Sequence, residues 1–179
     1  MPYARGMKAL ALVLALIALP VRAQDAPIPD DGRPLRIERI ADIPAPLRAA
    51  IRQSGCRLGE VTLSTFPILI FRPGAEPMAT VPCEGLVLHG RAYRLDGTVL
   101  TFPVLVFAER LSETETPGFF TWDAQTKTLT ALQGNDVCEG TVMRHSYRYD
   151  NGFVLAKVER GRLGCGFGEN WVVVWEAPR

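Results

Sequence analysis

The chain has 179 residues, with 20 basic and 19 acidic side chains and a formal net charge of +1. A nearly neutral chain offers no electrostatic basis for binding nucleic acid or an anionic lipid surface. The length, with 47% hydrophobic residues, is sufficient for one domain with a sizeable core.

The first 23 residues have the pattern of a secretion signal. Arg5 and Lys8 precede an apolar stretch at 9–19, and Val21 and Ala23 stand three places and one place before a cleavage point. We therefore expect cleavage after Ala23 and a periplasmic or secreted protein. The apolar stretch is too short to span a bilayer, so we expect no stable membrane insertion after cleavage.

Removal of this segment changes the charge, because it holds three basic residues and no acidic one. Residues 24–179 would carry 17 basic and 19 acidic side chains. Residues 24–35 are polar and rich in proline, which predicts a flexible lead-in. We expect residues 36–179 to form a single β-rich domain.

One helix is predicted after the signal, at 46–53. Pro46 suits the first helical position, and Leu47 and Ile51 are spaced to share one face. Gly55 can end the helix in a left-handed turn. A short strand is predicted just before it, at 37–40.

Most of the remaining chain has the composition of β-strands, and two segments are predicted hairpins. The first has the turn Asp123-Ala124-Gln125-Thr126 between the strand patterns 119–122 and 127–132. The second has Asp150-Asn151-Gly152 between 141–149 and 153–158, and these residues suit the positive φ of a tight turn. The predicted strands are 61–71, 99–107, 119–122, 127–132, 141–149, 153–158 and 171–176, with a loop at 112–118. The predicted fold is mainly β, an antiparallel sheet or sandwich of hairpins with one short N-terminal helix and two disulfides.

The chain contains a weak internal repeat, at 83–100 and 138–155. Cys83-Glu84-Gly85 recurs as Cys138-Glu139-Gly140, and Tyr93-Arg94 recurs as Tyr147-Arg148. Each copy combines a cysteine, a strand and an Asp/Gly turn. A second echo, between 65–71 and 101–107, has a different offset and fits two core strands with similar burial.

Several of these residues carry a resemblance to a known family. These residues are Val81-Pro82-Cys83, Trp122-Asp123, Asp136-Val137-Cys138 and Tyr147-Arg148-Tyr149-Asp150. They resemble a family of secreted bacterial proteins, domain of unknown function eleven seventy-six. The chain differs from the family pattern by inserting Val137 and by placing Glu139 where glycine is usual. The resemblance implies a periplasmic β-rich domain and assigns no activity or functional residue.

The four cysteines are predicted to form structural disulfides. Cys56 and Cys83 are 27 residues apart, and so are Cys138 and Cys165. We favour these two local pairs over the alternative in which Cys83 bonds Cys138 and Cys56 bonds Cys165. The chain has no Cys-x-x-Cys motif, and an oxidising compartment opposes a zinc-thiolate site.

Catalytic motifs are weak in this sequence. There is no Gly-x-Ser-x-Gly and no His-Glu-x-x-His, so we expect no metal and no cofactor. Glu84 and Glu139 could act as a carboxylate pair in glycan hydrolysis. Each is more typical of a turn cap, or of an ion pair with Arg94 or Arg148.

A binding surface is predicted from aromatic and basic side chains on strands. Trp171, Val173 and Trp175 alternate and would share one strand face. The candidate surface residues are Tyr93, Arg94, Tyr147, Arg148, Trp171 and Trp175, although such rings are more typical of the core of a β-domain.

These observations favour a non-catalytic binding or inhibitor module whose partner is an envelope protein or glycan. One alternative is a small envelope glycan hydrolase that uses Glu84 or Glu139. Another alternative is a structural envelope component whose exposed sheet edge pairs with another chain.

Overall fold

The computed structural model describes residues 28–29, 32–85, 88–106, 109–113, 116–132, 141–162 and 169–178. The predicted signal peptide lies outside these ranges, as do Cys138, Glu139 and Cys165.

The described residues form two α-helices and twelve strands, together with a short 3-10 helix at Ile40–Asp42. The helices are α1 (Ala45–Gln53) and α2 (Glu60–Thr65). The strands are β1 (Leu35–Ile37), β2 (Ile68–Phe71), β3 (Met78–Cys83), β4 (His89–Arg94), β5 (Phe102–Val106), β6 (Glu109–Glu113), β7 (Thr116–Pro117), β8 (Phe119–Asp123), β9 (Thr128–Leu132), β10 (Thr141–Tyr149), β11 (Phe153–Arg162) and β12 (Glu169–Glu176).

The strands are arranged in two five-stranded antiparallel sheets and one two-stranded ribbon. The first sheet has the order β1-β2-β3-β4-β7, the second has the order β12-β11-β10-β9-β8, and β5 pairs with β6. This arrangement confirms the prediction of a mainly β protein with antiparallel sheets, although the described residues contain two α-helices where one was predicted.

The first sheet is the middle of three layers, because both of its faces are buried. On β2, Ile68 and Ile70 belong to a core shared with α1 and α2, which we call the helix-side core. Leu69 and Phe71 point the opposite way, into a core shared with the second sheet, which we call the inter-sheet core. A strand buried on both faces needs four apolar residues in a row, as β2 has.

The predicted helix at 46–53 is confirmed by α1, whose apolar face buries Leu47 and Ile51. The prediction of a strand from residue 61 is wrong, since residues 60–65 form α2 and the strand begins at Ile68. In α2, Leu63 is fully buried while Val61 is 81% exposed. Burial of one side of a short helix therefore outweighs the β-propensity of its valine and threonines.

The two predicted hairpins are confirmed. The first is formed by β8 and β9 around residues 124–127, and the second by β10 and β11, with Asn151 at φ 50° in the turn. The predicted loop at 112–118 is wrong in part, because β6 extends to Glu113 and β7 occupies Thr116–Pro117. The predicted strand at 37–40 is found slightly earlier, as β1 at Leu35–Ile37.

One of the two predicted disulfides, Cys56–Cys83, lies within the described residues and is present. Both sulfurs are in the helix-side core, and the bond ties the segment between α1 and α2 to the end of β3. Arg57 and Glu84, the next residues, form an isolated antiparallel bridge beside it. The disulfide thus fixes the position of α2 against the first sheet.

Candidate functional site

A groove of about 330 Å³ lies between the first sheet and strand β8, and we call it the apolar groove. Its lining is formed by Pro34, Arg36, Thr65, Phe66, Pro67, Leu69, Thr80, Val81, Pro82, Phe119, Phe120, Thr121 and Trp122. Arg36 is the single charged side chain among these residues. A concave, mostly apolar site with one convergent polar group is the usual form of a ligand site.

The groove opens where the ladder between β2 and β3 ends. Leu69 lies opposite Thr80, so the same register places Pro67 opposite Pro82. Neither proline has an N–H to donate, and the ladder cannot continue through this pair. The first sheet therefore parts at this point and leaves space under β8.

The floor of the groove is one row of side chains across the first sheet. Arg36 lies opposite Leu69, which lies opposite Thr80, and alternation directs all three away from the helices. Leu69 and Thr80 are buried, whereas the Arg36 side chain is 57% exposed at the sheet edge. The guanidinium makes one long ion pair, 3.4 Å from Glu38, and so can reach a ligand in the groove.

The walls of the groove are aromatic and are held in place by packing. The rings of Phe66 and Phe119 lie 4.7 Å apart between centroids, and Trp122 stacks on Phe71 at 4.5 Å. Phe120 is buried, and its ring lies so close to Gly90 that residue 90 has no room for a Cβ. Side chains fixed in this way lose little entropy when a ligand binds.

The groove follows the edge of β8 rather than one of its faces. Four consecutive residues, 119–122, line it. Neighbouring side chains of a strand point to opposite faces, so a groove that contacts four in succession lies along the strand edge. Among the described strands, β8 pairs with β9 alone.

The predicted binding surface is corrected at its tyrosines. Tyr93 and Tyr147 are both fully buried, Tyr93 in the helix-side core and Tyr147 in the inter-sheet core. The Tyr93 hydroxyl lies 2.8 Å from Ser54 Oγ, and burial raises the pKa of the Tyr147 hydroxyl above its ordinary value. These two residues of the internal repeat are core residues.

The expectation that Trp171, Val173 and Trp175 share one face is also wrong. In the ladder between β11 and β12, Val158 lies opposite Trp175 and the next residue, Glu159, lies opposite Val173. A bulge therefore adds one residue to β12 between Val173 and Trp175. The bulge reverses the alternation. Trp175 packs against the inter-sheet core. Trp171 instead stacks with Arg144, whose guanidinium carbon lies 4.3 Å from the centroid of the Trp171 ring.

The two predicted arginines lie apart from each other and from the groove lining. Arg94 forms an ion pair of 2.8 Å with Glu76 at the surface. Arg148 is exposed and lines a shallow cavity on the second sheet together with Lys157 and Ser146. The predicted surface residues are thus distributed over two sheets and two cores.

The predicted carboxylate at Glu84 has a structural contact. Thr62 Oγ1 donates a hydrogen bond of 2.5 Å to Glu84 Oε1, which also lies close to Gly59 at the start of α2. This carboxylate thus faces the first turn of the helix, where negative charge is stabilising. Glu139, its proposed catalytic partner, lies outside the described residues.

No group of three or more His, Cys, Asp or Glu side chains in the described ranges is arranged to hold a metal ion. In the same part of the chain, no helix combines the length and the apolar character needed to cross a membrane.

Sequence reasoning missed the apolar groove, whose parts come from β1, the α2–β2 connection, β3 and β8. The one local signal was proline: Pro67 can lie only at a strand start, a bulge or a sheet edge, and it directly precedes β2, which begins at Ile68. No protein-family model, curated protein or solved structure matches this chain significantly. The resemblance to domain of unknown function eleven seventy-six therefore stays a prediction.

Proposed function

We propose that this chain is an exported, non-catalytic binding or inhibitor module, and that the apolar groove is its binding site. The observation that carries the proposal is the groove itself: preformed aromatic walls, a buried floor and one partly exposed cation. Sites of this form bind partners by burial of apolar groups, with polar contacts that fix orientation.

Export is supported by the disulfide and by the first 23 residues. The buried Cys56–Cys83 bond ties the segment between α1 and α2 to the first sheet, and disulfides of this kind persist in oxidising compartments. The basic, apolar and cleavage regions of residues 1–23 belong to the same interpretation. We place the mature protein in the periplasm or outside the cell.

A binding role is favoured over glycan hydrolysis by the chemistry of the groove lining. General acid–base catalysis requires a titratable group that titrates near the working pH. The lining includes no carboxylate, imidazole or thiol, and its one charged side chain is the guanidinium of Arg36. Glu84 lies at α2 and is not part of the lining.

The proposal is tested by filling the groove. Thr121 is exposed and lines the groove, so Thr121→Trp should occupy its volume while leaving both cores unchanged. The oxidised wild-type protein, residues 24–179, is immobilised and exposed to periplasmic or envelope extract. We expect saturable retention of a component by the wild type and at least a tenfold loss of retention by Thr121→Trp.

The matched control is Thr141→Trp, because Thr141 is an exposed strand threonine that is not part of the groove lining. This variant should retain the component as the wild type does. Equal retention by wild type and both variants would place the binding site elsewhere, and absence of any saturable retention would remove the binding role.

A further inference from the structure

We propose that the apolar groove accepts an extended peptide segment, which adds to β8 as a sixth strand of the second sheet. The peptide would place an apolar side chain in the groove and a carboxylate beside Arg36. This inference rests on the proposed function and names the class of its partner, an envelope polypeptide in extended conformation.

The edge of β8 has the geometry for strand addition. Its five residues pair with β9 in one continuous register, from Phe119 opposite Leu132 to Asp123 opposite Thr128. A regular strand presents its second row of backbone groups at even spacing, which is what an added strand needs. The groove follows this edge, so the peptide backbone and one row of its side chains would bind together.

The opposite edge of the second sheet differs in this respect. Strand β12 carries three exposed valines in succession, Val172, Val173 and Val174. Its register with β11 is interrupted twice, and Asn170 has a φ of 55°. Bulges of this kind twist an edge strand and disrupt its use as a template. Strand addition is therefore expected at β8 and not at β12.

The groove determines which side chains the peptide should carry. An added strand directs every second side chain to the same face, so large apolar residues at alternate positions would reach the wall formed by Phe66 and Phe119. The volume of the apolar groove, about 330 Å³, is enough for bulky side chains of this type.

The charge of the lining determines the polar end of the peptide. Arg36 is the one charged lining residue, its side chain is more than half exposed, and its ion pair with Glu38 is long, at 3.4 Å. A guanidinium of this kind binds a carboxylate with two parallel hydrogen bonds. We therefore expect an acidic side chain or a free C-terminal carboxylate at one end of the bound segment.

The experiment uses synthetic nonapeptides with phenylalanine or leucine at alternate positions and aspartate at one end. Binding to residues 24–179 is followed by NMR, through the indole N–H of Trp122 and the amides of β8. Two further peptide sets carry backbone N-methyl groups on alternate residues, one set for each edge of the peptide. We expect N-methylation of one edge to weaken binding at least tenfold and N-methylation of the other edge to be tolerated.

Arg36 is tested in the same assay. Arg36→Gln should weaken the aspartate peptides about tenfold and leave the matching asparagine peptides unchanged, a loss of about 1.4 kcal/mol. The control is Arg160→Gln, because Arg160 is exposed on β11 and is not part of the groove lining. This control should bind both peptides as the wild type does.

Three outcomes overturn the inference: no peptide binds at about 1 mM, equivalent to about −4.1 kcal/mol; both N-methylated sets bind equally well; or peptides bind without changes at β8. If Thr121→Trp still abolishes retention of an envelope component in these cases, the proposed function stands and its partner is not an extended peptide. If retention is also insensitive to Thr121→Trp, both proposals fail.

Discussion

The hydroxyl oxygens of Tyr93 and Ser54 lie 2.8 Å apart, inside the contact between α1 and the first sheet. Ser54 Oγ donates its own proton to the carbonyl of Ile51, so the Tyr93 hydroxyl is the donor in the pair. Arg91 Nη1 donates to the carbonyl oxygen of Ser54 at 2.5 Å. The end of α1 is thus held to β4 by two polar contacts beneath the helix.

We predict that Tyr93→Phe lowers the free energy of unfolding by about 1 kcal/mol, the usual net value of one hydrogen bond. The substitution removes the contact with Ser54 and keeps the ring in the helix-side core. Urea unfolding of wild type and variant, followed by circular dichroism, measures the difference. A change below about 0.3 kcal/mol would mean that the contact adds nothing to stability.

The matched control is Tyr147→Phe, at the equivalent position of the internal repeat. The Tyr147 hydroxyl is buried and has no hydrogen-bond partner among the described residues. Removal of an unsatisfied buried hydroxyl is expected to leave stability unchanged or to raise it. A loss comparable to that of Tyr93→Phe would contradict this account of the two tyrosines.

The Cys56–Cys83 bond is predicted to be a major source of stability. It closes a segment with a sequence separation of 27, and the chain-entropy model gives about 3–4 kcal/mol for such a loop. The double variant Cys56→Ala/Cys83→Ala should lower the free energy of unfolding by this amount, with a steeper dependence on urea concentration because the unfolded chain without the cross-link is more expanded. A loss below about 1 kcal/mol would show that the cross-link constrains the unfolded chain very little.

Glu159 is predicted to make stability fall at acidic pH. Its carboxylate is nearly buried and forms ion pairs with Arg144 Nε at 2.8 Å and with Lys157 Nζ at 3.0 Å. Burial alone would raise the pKa of Glu159, but these two cations outweigh it and hold the pKa below its ordinary value of 4.5. The stabilisation is therefore present above that value and is lost as the pH falls through the lowered pKa.

The measurement is the free energy of unfolding of wild type and Glu159→Gln between pH 7 and pH 3. We expect the variant to be less stable by about 1–3 kcal/mol at pH 7, and the difference to shrink towards pH 3. The control is Glu176→Gln, because Glu176 is exposed on β12. A difference between Glu159→Gln and wild type that is independent of pH would contradict the assignment.

Local sequence signals predicted the hairpins and α1 correctly, because turn residues and helical spacing act over a few neighbouring positions. The turn at Asp150-Asn151-Gly152 is an example. Long-range packing decided the rest. Burial of Leu63 on one side of α2 favours a helix there. A bulge in β12 places Trp171 and Trp175 on opposite faces of the strand. Neither effect has a counterpart in local composition.

The apolar groove was not predictable for the same reason. Its floor and walls meet only through sheet register and the packing of β8 on the first sheet. The opposition of Pro67 and Pro82, which ends the β2–β3 ladder, requires the register to be known. From the sequence alone, Pro67 could be placed only at a strand start, a bulge or an edge.

Gly90 is predicted to maintain the wall of the groove. A Cβ at this position would overlap the ring of Phe120 and lie 3.2 Å from the carbonyl oxygen of Gly118. Phe120 is buried and packs on Phe102 at 5.4 Å between centroids, so its ring cannot move without disturbing the inter-sheet core. We expect Gly90→Ala to cost about 1–3 kcal/mol by overpacking and to weaken ligand binding in the groove.

The matched control is Gly152→Ala, because Gly152 lies in the β10–β11 turn with no atom within 4 Å of an added Cβ. Its free energy of unfolding should change by less than about 0.5 kcal/mol, as is usual for surface substitutions. NMR of the Trp122 indole provides a second measurement, because a displaced Phe120 ring alters the shielding of its neighbours. If Gly90→Ala is as stable as the wild type and leaves that signal in place, β8 must be able to move away from the first sheet, and the preformed groove on which binding depends would not exist.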